Sequence, residues 1–384
     1  VLYDVAIIGG GPVGSFAAHQ IAKRGLSCAV VEEHPSSTHR ITCTGILGAH
    51  AFAEFDLPRS AVLAELRSAR FISPSGITLS VSAESPKACV LDREAFARDL
   101  HRLASAEGVH FFFKFSASRV MVSRNSVRIE GDNDGGGRIE AAVAVIATGV
   151  HYQLIDQLGL GRPRSFIEAA QVEAEMEGVE EVEVYLGQQW APGSFAWVVP
   201  LPDERVRIGL HTRSDAEAHL KEFLQSPFIT RRLRRTCRPL RVRPIPLEAL
   251  PQTYLDRILI AGDAAGQVKP TTGGGLYYGF IGAAAAAQTI ADAFSQGDFR
   301  SSFLRQYQQR WRKRIGLEQQ VGNYFRRLLS TLGDAQMDYL LKACREDGLG
   351  EIIRRTSDFD SHKRLILRLL RHPSFWRTLR GIAT

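Results

Sequence analysis

Two glycine-rich stretches at opposite ends of a 384-residue chain carry the residue types that hold anionic groups. The first is Gly9-Gly-Gly-Pro-Val-Gly14, with glycines at Gly9, Gly11 and Gly14 and Pro12 between them. It follows the apolar run Val5-Ala-Ile-Ile8 and precedes a helical pattern from Phe16 to Ala22. Gly25 ends that helix, Cys28-Ala-Val-Val31 reads as a second strand, and Glu32 closes it 18 residues after Gly14. Such glycines permit a tight turn, the approach of backbone to a pyrophosphate, and close helix–strand packing, while the acidic residue accepts from a ribose hydroxyl. Glu33 adjoins it in the expected nucleotide site. The second stretch runs from Ile258 to Leu276: an apolar strand, a Gly262-Asp263 turn, a Gly/Pro loop, and a helix start that continues through Ala283–Ala287. A carboxylate at Asp263 suits sugar-like hydroxyls. Gly273, Gly274 and Gly275 place unpaired backbone N–H groups and a helix N-terminus where negative charge is favoured.

Two further elements lie between these turns. Val143-Ala-Val-Ile-Ala-Thr-Gly149 is a strand ending in a small-residue turn, and Val90-Leu-Asp-Arg93 precedes an amphipathic helix marked by Phe96, Leu100, Leu103 and Ala104. Taken in order, the Gly-x-Gly-x-x-Gly, Ala-Thr-Gly and Gly-Asp elements resemble the FAD-binding glutathione-reductase superfamily. The Arg93 element resembles that of its p-hydroxybenzoate-hydroxylase-like branch, whose arginine contacts FAD. Asp263 through Gly275 looks very like the flavin loop of the geranylgeranyl reductase family. Phe195-Ala-Trp-Val-Val-Pro200, followed by Arg207-Ile-Gly-Leu210, resembles that family's aromatic-x-Trp-x-Phe-Pro substrate motif, with Val199 where Phe is usual. Arg40-Ile-Thr-Cys-Thr-Gly45 resembles its Cys-Gly-x-Gly stretch near the flavin, with Thr44 where Gly is usual. The resemblance spans roughly residues 1–300.

The resemblance implies an FAD-dependent reductase that saturates C=C bonds of an isoprenoid or prenylated lipid by hydride transfer from reduced flavin. A proton from water or a nearby group completes the saturation. No second Gly-x-Gly-x-x-Gly is present, so the implied reductant, NAD(P)H or a ferredoxin-type donor, docks transiently. Arg40 and Cys43 are expected beside the flavin, and Phe195, Trp197 and Pro200 beside the substrate; without the resemblance these aromatics read as ordinary core residues. Cys43 is open to several roles: tuning the flavin, donating a proton, pairing with Cys344, or serving as a small buried hydrophobe. Two other classes stay open. One is a monooxygenase or halogenase of the same fold, although a halogenase would be expected to show a Trp-x-Trp-x-Ile stretch and none is found. The other is a flavin-bound membrane adaptor or redox sensor.

Composition narrows the setting. With 45% hydrophobic residues the chain is ordinary for a globular protein and long enough for two domains. No uninterrupted apolar run reaches transmembrane length, and Leu2–Ile8 lacks the basic flank of a signal peptide. Five cysteines without Cys-x-x-Cys spacing point to a reducing compartment and away from zinc or an iron–sulfur cluster. No Ser/His/Asp set or metal cluster is apparent, and no metal is expected. The expected location is cytoplasmic, with membrane association an option.

Charge is unevenly spread. From Arg300 onward there are 18 Lys/Arg against 8 Asp/Glu, whereas the preceding residues carry 30 against 33. A basic C-terminal region suits a peripheral contact with an anionic membrane, especially through Leu365–Arg371 and Phe375–Arg380, or else a set of helices packed on the body. Seven arginines between Arg231 and Arg243 read as a solvated helix face, a grip on a substrate phosphate, or an NADPH contact. They lack the interleaved aromatics that stack bases, so no nucleic-acid partner is expected. Oligomeric state is open.

The expected fold is α/β, α+β in part: a Rossmann-type FAD-binding domain from segments 1–60, 90–150 and 250–300, with an antiparallel-sheet substrate domain from 61–89 and 151–249. Residues 301–384 are expected to be helical. Within the insertion, Ala69–Ile72 and Ile77–Val81 flank a Pro74–Gly76 turn, and Val172, Ala174 and Met176 alternate with Glu173, Glu175 and Glu177, which predicts a solvent-facing acidic row.

Overall fold

The computed structural model describes residues 2–36, 43–132, 137–347, 349–356 and 358–380. Its first sheet is built on Leu2–Ile8, which lies parallel to Cys28–Glu32 on one side and Gly137–Ile146 on the other. Ile258–Ile260 extends the sheet in parallel beyond Gly137–Ile146, and His110–Phe113 does so beyond Cys28–Glu32. The central strand is apolar on both faces because both are covered. Val5 and Ile7 enter a core with Phe16 and Phe280, while Ala6 and Ile8 enter another with Leu154 and Leu250.

The helices Pro12–Ala22 and Leu276–Gln296 pack directly against each other on the first of these faces. Pro12 sits in the first turn, where its missing N–H costs nothing. Helix Arg93–Ala106 joins them, capped by Asp92, whose carboxylate accepts from Glu94 N and Ala95 N at 3.0 Å each. Helix Ser301–Trp311 completes the layer. Its Tyr307 and Trp311 are fully buried in the same core, and their polar tips are satisfied, by Ile260 O at 2.6 Å and Thr253 Oγ1 at 3.1 Å. This layer therefore continues past residue 300.

The second sheet runs in the order Leu233–Thr236, Phe166–Met176, Arg205–Thr212, Phe195–Pro200, Val182–Leu186, Ser68–Ile72, Thr78–Ser82, and Arg241–Pro246 also pairs with Phe166–Met176. Segments far apart in sequence thus share one sheet: the Ser68–Ile72/Thr78–Ser82 hairpin enters by pairing parallel to Val182–Leu186. The alternation in Phe166–Met176 holds, with Val172, Ala174 and Met176 buried. Its acidic row, however, is not a bare solvent face. The arginine-rich segment forms strands antiparallel to it instead of a helix, and Glu173, Glu175 and Glu177 pair with Arg238, Arg235 and Arg234. Opposite charges facing each other across neighbouring strands stabilise that register.

The C-terminal region is helical: Leu317–Leu329, Asp334–Glu346, Leu349–Thr356, Lys363–Leu369 and Pro373–Arg380. Pro373 opens the last helix. These helices bury Ala343, Cys344, Leu349, Leu369 and Phe375 around Leu79 of the second sheet.

Candidate active site

Strand register brings the distant glycine turns together. Ile8 is level with Val31 on one side and Ile146 on the other, and Ile146 is level with Ile260. Gly9, Glu32, Ala147 and Gly262 therefore leave the sheet at one edge, the carboxyl end of the parallel strands, where open α/β sheets hold their ligands. The contacts are close enough to require glycine. A Cβ on Gly9, whose φ is +105°, would lie 2.4 Å from Ala147 O, and one on Gly14 would lie 1.9 Å from Gly9 O. Glu32 accepts from Gly10 N at 2.7 Å and from His34 N at 3.0 Å.

The second glycine stretch folds back under the first. Val13 of the first helix fills the notch left by Gly262 and Gly279. Asp263 pairs with Arg243 from the arginine-rich strand, and a Cβ on Gly275 would lie 2.4 Å from its Oδ1. The loop before the helix closes on itself: Lys269 N donates to Gly274 O at 3.0 Å and Gly273 N donates to Lys269 O at 2.8 Å. Gly273 turns at φ +68°, 3.0 Å from His211 Nε2 for an added Cβ.

A single cavity of about 1460 Å³ joins these turns to the inner face of the second sheet. That exceeds the ~300–1,000 Å³ of an ordinary small-molecule site. Gly9, Gly11, Pro12, Glu32, Glu33, Cys43, Arg93, Gly149, Gly262, Asp263, Gly273, Gly274 and Gly275 all line it. Gly14 does not; it serves the packing of its helix on Gly9. Arg40 lies outside the described residues. The floor beyond the glycine loop is an apolar row running across the strands: Trp197 is level with Val184, and Val184 with Phe71. A second row is Val182, Ala69 and Val81. Gly209 permits the first row, since a Cβ there would lie 2.5 Å from Trp197 Cζ2. Phe195, Trp197 and Val199 share the lining face by strand alternation. Pro200, expected beside a substrate, falls on the other parity and is not among the lining residues. Phe325, Leu329, Ile353, Phe359, Leu365 and Ile366 of the C-terminal region form the opposite wall.

The site is rich in guanidinium groups. Arg93 is buried, and its Nε and Nη1 have no hydrogen-bond partner among the described residues. Arg207 donates to Glu173, Thr44 O and Leu91 O. Cys43 lies among these cations. Burial pushes its thiol pKa up, but Arg93, Arg243, the Gly45 N–H and Arg207 outweigh that and hold it below its ordinary value. It is a free thiol, as is Cys344, which sits instead in the C-terminal core with its pKa raised by burial to about 12. The two are not paired.

Arg207, Arg243 and Lys269 stand inside the substrate-motif, arginine-rich and flavin-loop stretches of the sequence, whereas His211 lies in none of them. His211 is packed edge-on to Trp197 at 4.6 Å and Phe195 at 5.3 Å, and burial lowers its pKa to about 4, so it is neutral near pH 7. Its signal was available: Arg207, Gly209 and His211 alternate along the strand beside the aromatic motif, with Ile208 and Leu210 pointing into the sheet's own core.

A family model described as an FAD binding domain matches residues 2–318. Digeranylgeranylglycerophospholipid reductase 2 of Methanothermobacter thermautotrophicus is 29% identical, with 99% of each chain covered. Digeranylgeranylglycerophospholipid reductase 1 of the same organism is 30% identical, covering 89% of this chain and 90% of that one. Among solved structures, a geranylgeranyl bacteriochlorophyll reductase-like protein from Thermoplasma acidophilum aligns over 99% of both chains with a TM-score of 0.86 at 22% identity. A flavin-dependent brominase has the same fold at a TM-score of 0.73 and 17% identity, covering 96% of this chain and 98% of that one.

Proposed function

The chain belongs to the FAD-binding domain family and is related to digeranylgeranylglycerophospholipid reductases, and from that premise we propose that it saturates carbon–carbon double bonds of an isoprenoid chain. It is an FAD-dependent oxidoreductase. The residues present fit the cofactor: glycines line a cradle that side chains would fill, and Arg93 keeps two buried donors without hydrogen-bond partners among the described residues. Bound FAD supplies the hydride chemistry.

The chain's own residues bind, orient and exclude water. We assign Glu32 and Asp263 to cofactor hydroxyls, the Gly9–Gly14 turn with its helix N-terminus to the pyrophosphate, and Arg93 to a cofactor oxygen. The N–H groups of Gly273–Gly275 favour negative charge beside the helix start at Leu276. Trp197, Phe195, Val184 and Phe71 form the surface for an apolar chain, and neutral His211 adds no charge there. Cys43 and His211 are the candidates for holding a proton near the loop. NAD(P)H or a ferredoxin-type donor returns electrons. No helix among the described residues is long and apolar enough to cross a membrane. Exposed Leu367 and Trp376 beside Arg364, Arg368 and Arg371 support a peripheral lipid contact.

The observation that carries this reading is the continuity of one cavity from the glycine turns to the apolar rows of the second sheet. Dithionite-reduced holoenzyme, kept free of oxygen, is expected to be reoxidised by a prenyl substrate with formation of the saturated product. Failure with every prenyl compound, together with oxygen-dependent hydroxylation, would overturn it.

A further inference from the structure

We propose that Arg207 is a positioning residue: reaching from the second sheet, it holds the Cys43–Gly45 turn and the strand end before Arg93, and so sets where the Cys43 thiol and the Arg93 guanidinium stand at the cofactor end of the cavity. This deepens the reading above and rests on it for the cofactor, not for the substrate.

The bonds of Arg207 reach main chain in another part of the molecule. Its Nη1 donates to Thr44 O at 2.6 Å and to Leu91 O at 3.0 Å, while Nε donates to Glu173 Oε1 at 3.0 Å. Glu173 is level with Arg207 on the neighbouring strand, so the carboxylate orients the guanidinium from within the sheet. Bonds to the carbonyls of a segment fix the course of its backbone. The two segments are also joined to each other, Leu91 N donating to Gly45 O at 2.8 Å. A second attachment lies beside the first. Thr44 Oγ1 donates to Gln171 Oε1 at 2.6 Å, and Gln171 is two residues from Glu173 on the same strand face. The sheet that forms the apolar floor thus grips the turn that carries Cys43.

Arg207 is only 6% exposed. Burying a guanidinium is unfavourable unless its donors are answered, so packing alone would favour an apolar side chain, as stands at the level position Val199. Arg93 shows what depends on the grip. Its Nε and Nη1 have no hydrogen-bond partner among the described residues, so backbone and packing set its place. Gly45 carries that packing: a Cβ there would lie 2.8 Å from Arg93 Cδ and 3.0 Å from Arg207 Nη1. Cys43 Sγ accepts from Gly45 N at 3.4 Å, within the same turn. The charged groups around the thiol are Arg93, Arg207 and Arg243, with Glu173 on Arg207 and Asp263 on Arg243.

The test uses Arg207→Met in the full chain, where Glu173 keeps Arg238 at 3.2 Å and is not left unpaired. Two readouts need no substrate. One is the pH profile of Cys43 alkylation by iodoacetamide in flavin-stripped protein, followed by mass spectrometry of the Cys43 peptide. Its midpoint is expected to rise by about one pH unit, which is about tenfold less reaction near pH 7. The other is FAD affinity, expected to weaken about tenfold. Arg207→Lys keeps the charge without the forked geometry; it is expected to restore the alkylation midpoint and leave FAD weakly bound. Wild-type alkylation and FAD affinity in Arg207→Met, with only the urea midpoint lowered, would make Arg207 a structural ion pair and overturn the proposal. Full recovery of both readouts in Arg207→Lys would overturn it as well, since charge alone would then suffice. Should Arg207→Met not fold, Thr44→Val removes the second attachment at nearly constant shape. FAD affinity about threefold weaker is then expected, and unchanged affinity and alkylation would overturn the grip. Both shifts in Arg207→Met, with no prenyl compound reoxidising the wild-type reduced flavin, would leave the positioning role standing and remove the reductase reading instead.

Discussion

Lys269 of the glycine loop and Asp360 of the C-terminal region form an ion pair at 2.6 Å, with only 4% and 2% of their side chains exposed. Lys269 Nζ also donates to Phe359 O at 2.8 Å, and Asp360 accepts from Gly48 N at 3.1 Å. Thr271 of the same loop is bonded to His362 at 2.6 Å. The loop at the cofactor end is therefore fastened to the segment that supplies Phe359, His362, Leu365 and Ile366 to the cavity wall.

Asp360→Ala leaves the Lys269 ammonium buried without its carboxylate. The expected loss is about 3–5 kcal/mol, read as a lower urea midpoint. The pair K269M/D360L is expected to recover most of it, because an apolar pair carries no uncompensated charge. A double variant as unstable as the single one would assign the loss to the shape of the segment.

Gly279 leaves room for Val13, whose Cγ2 would lie 2.5 Å from a Cβ at that position. Gly279→Ala is expected to push the two glycine-turn helices apart, costing about 1–3 kcal/mol as overpacking does, and to lower the flavin content of the purified protein. Val13→Ala in the same chain is expected to restore flavin binding in part. Full flavin occupancy in Gly279→Ala alone would contradict the need for this close approach.

His211 is held neutral by burial, with its pKa lowered from 6.5 to about 4. Between those values the unfolded chain binds the proton and the folded chain does not. The contribution of this group is fully present above pH 6.5 and is lost as pH falls towards about 4, at most about 3 kcal/mol. Urea midpoints measured from pH 7 down to 4 are expected to fall, and His211→Gln is expected to flatten that slope.

Val184 lies between Trp197 and Phe71 in the apolar row. Val184→Trp is expected to fill the row, raising KM for long prenyl substrates by tenfold or more (about 1.4 kcal/mol) while short prenyl alcohols and flavin content change little. Equal turnover of long and short chains would place the substrate elsewhere.

Much of the cofactor end was legible in the sequence, because its signals are local. Gly9, Gly11 and Gly14 specify a turn by what a Cβ would strike, and the spacing to Glu32 is the length of one helix and one strand. The alternation of Val172, Ala174 and Met176 likewise states which face is buried before any partner is known. The arginine segment shows the opposite case. Its composition suits a helix face as well as a strand, and only the Glu173–Glu175–Glu177 row across the ladder decides between them.

By itself, the order of residues determined the nucleotide turns, the aromatic strand of the substrate sheet and the helical C-terminal region, since each depends on periodicity within one element. Tertiary structure alone decided that Arg243 reaches Asp263, that Asp360 lies under the glycine loop, that His211 faces Gly273, and that the basic C-terminal helices wall the cavity. The physical reason is that each of these is a contact between segments distant in sequence. Such contacts follow from strand register and helix packing summed over the whole core, which no local pattern records.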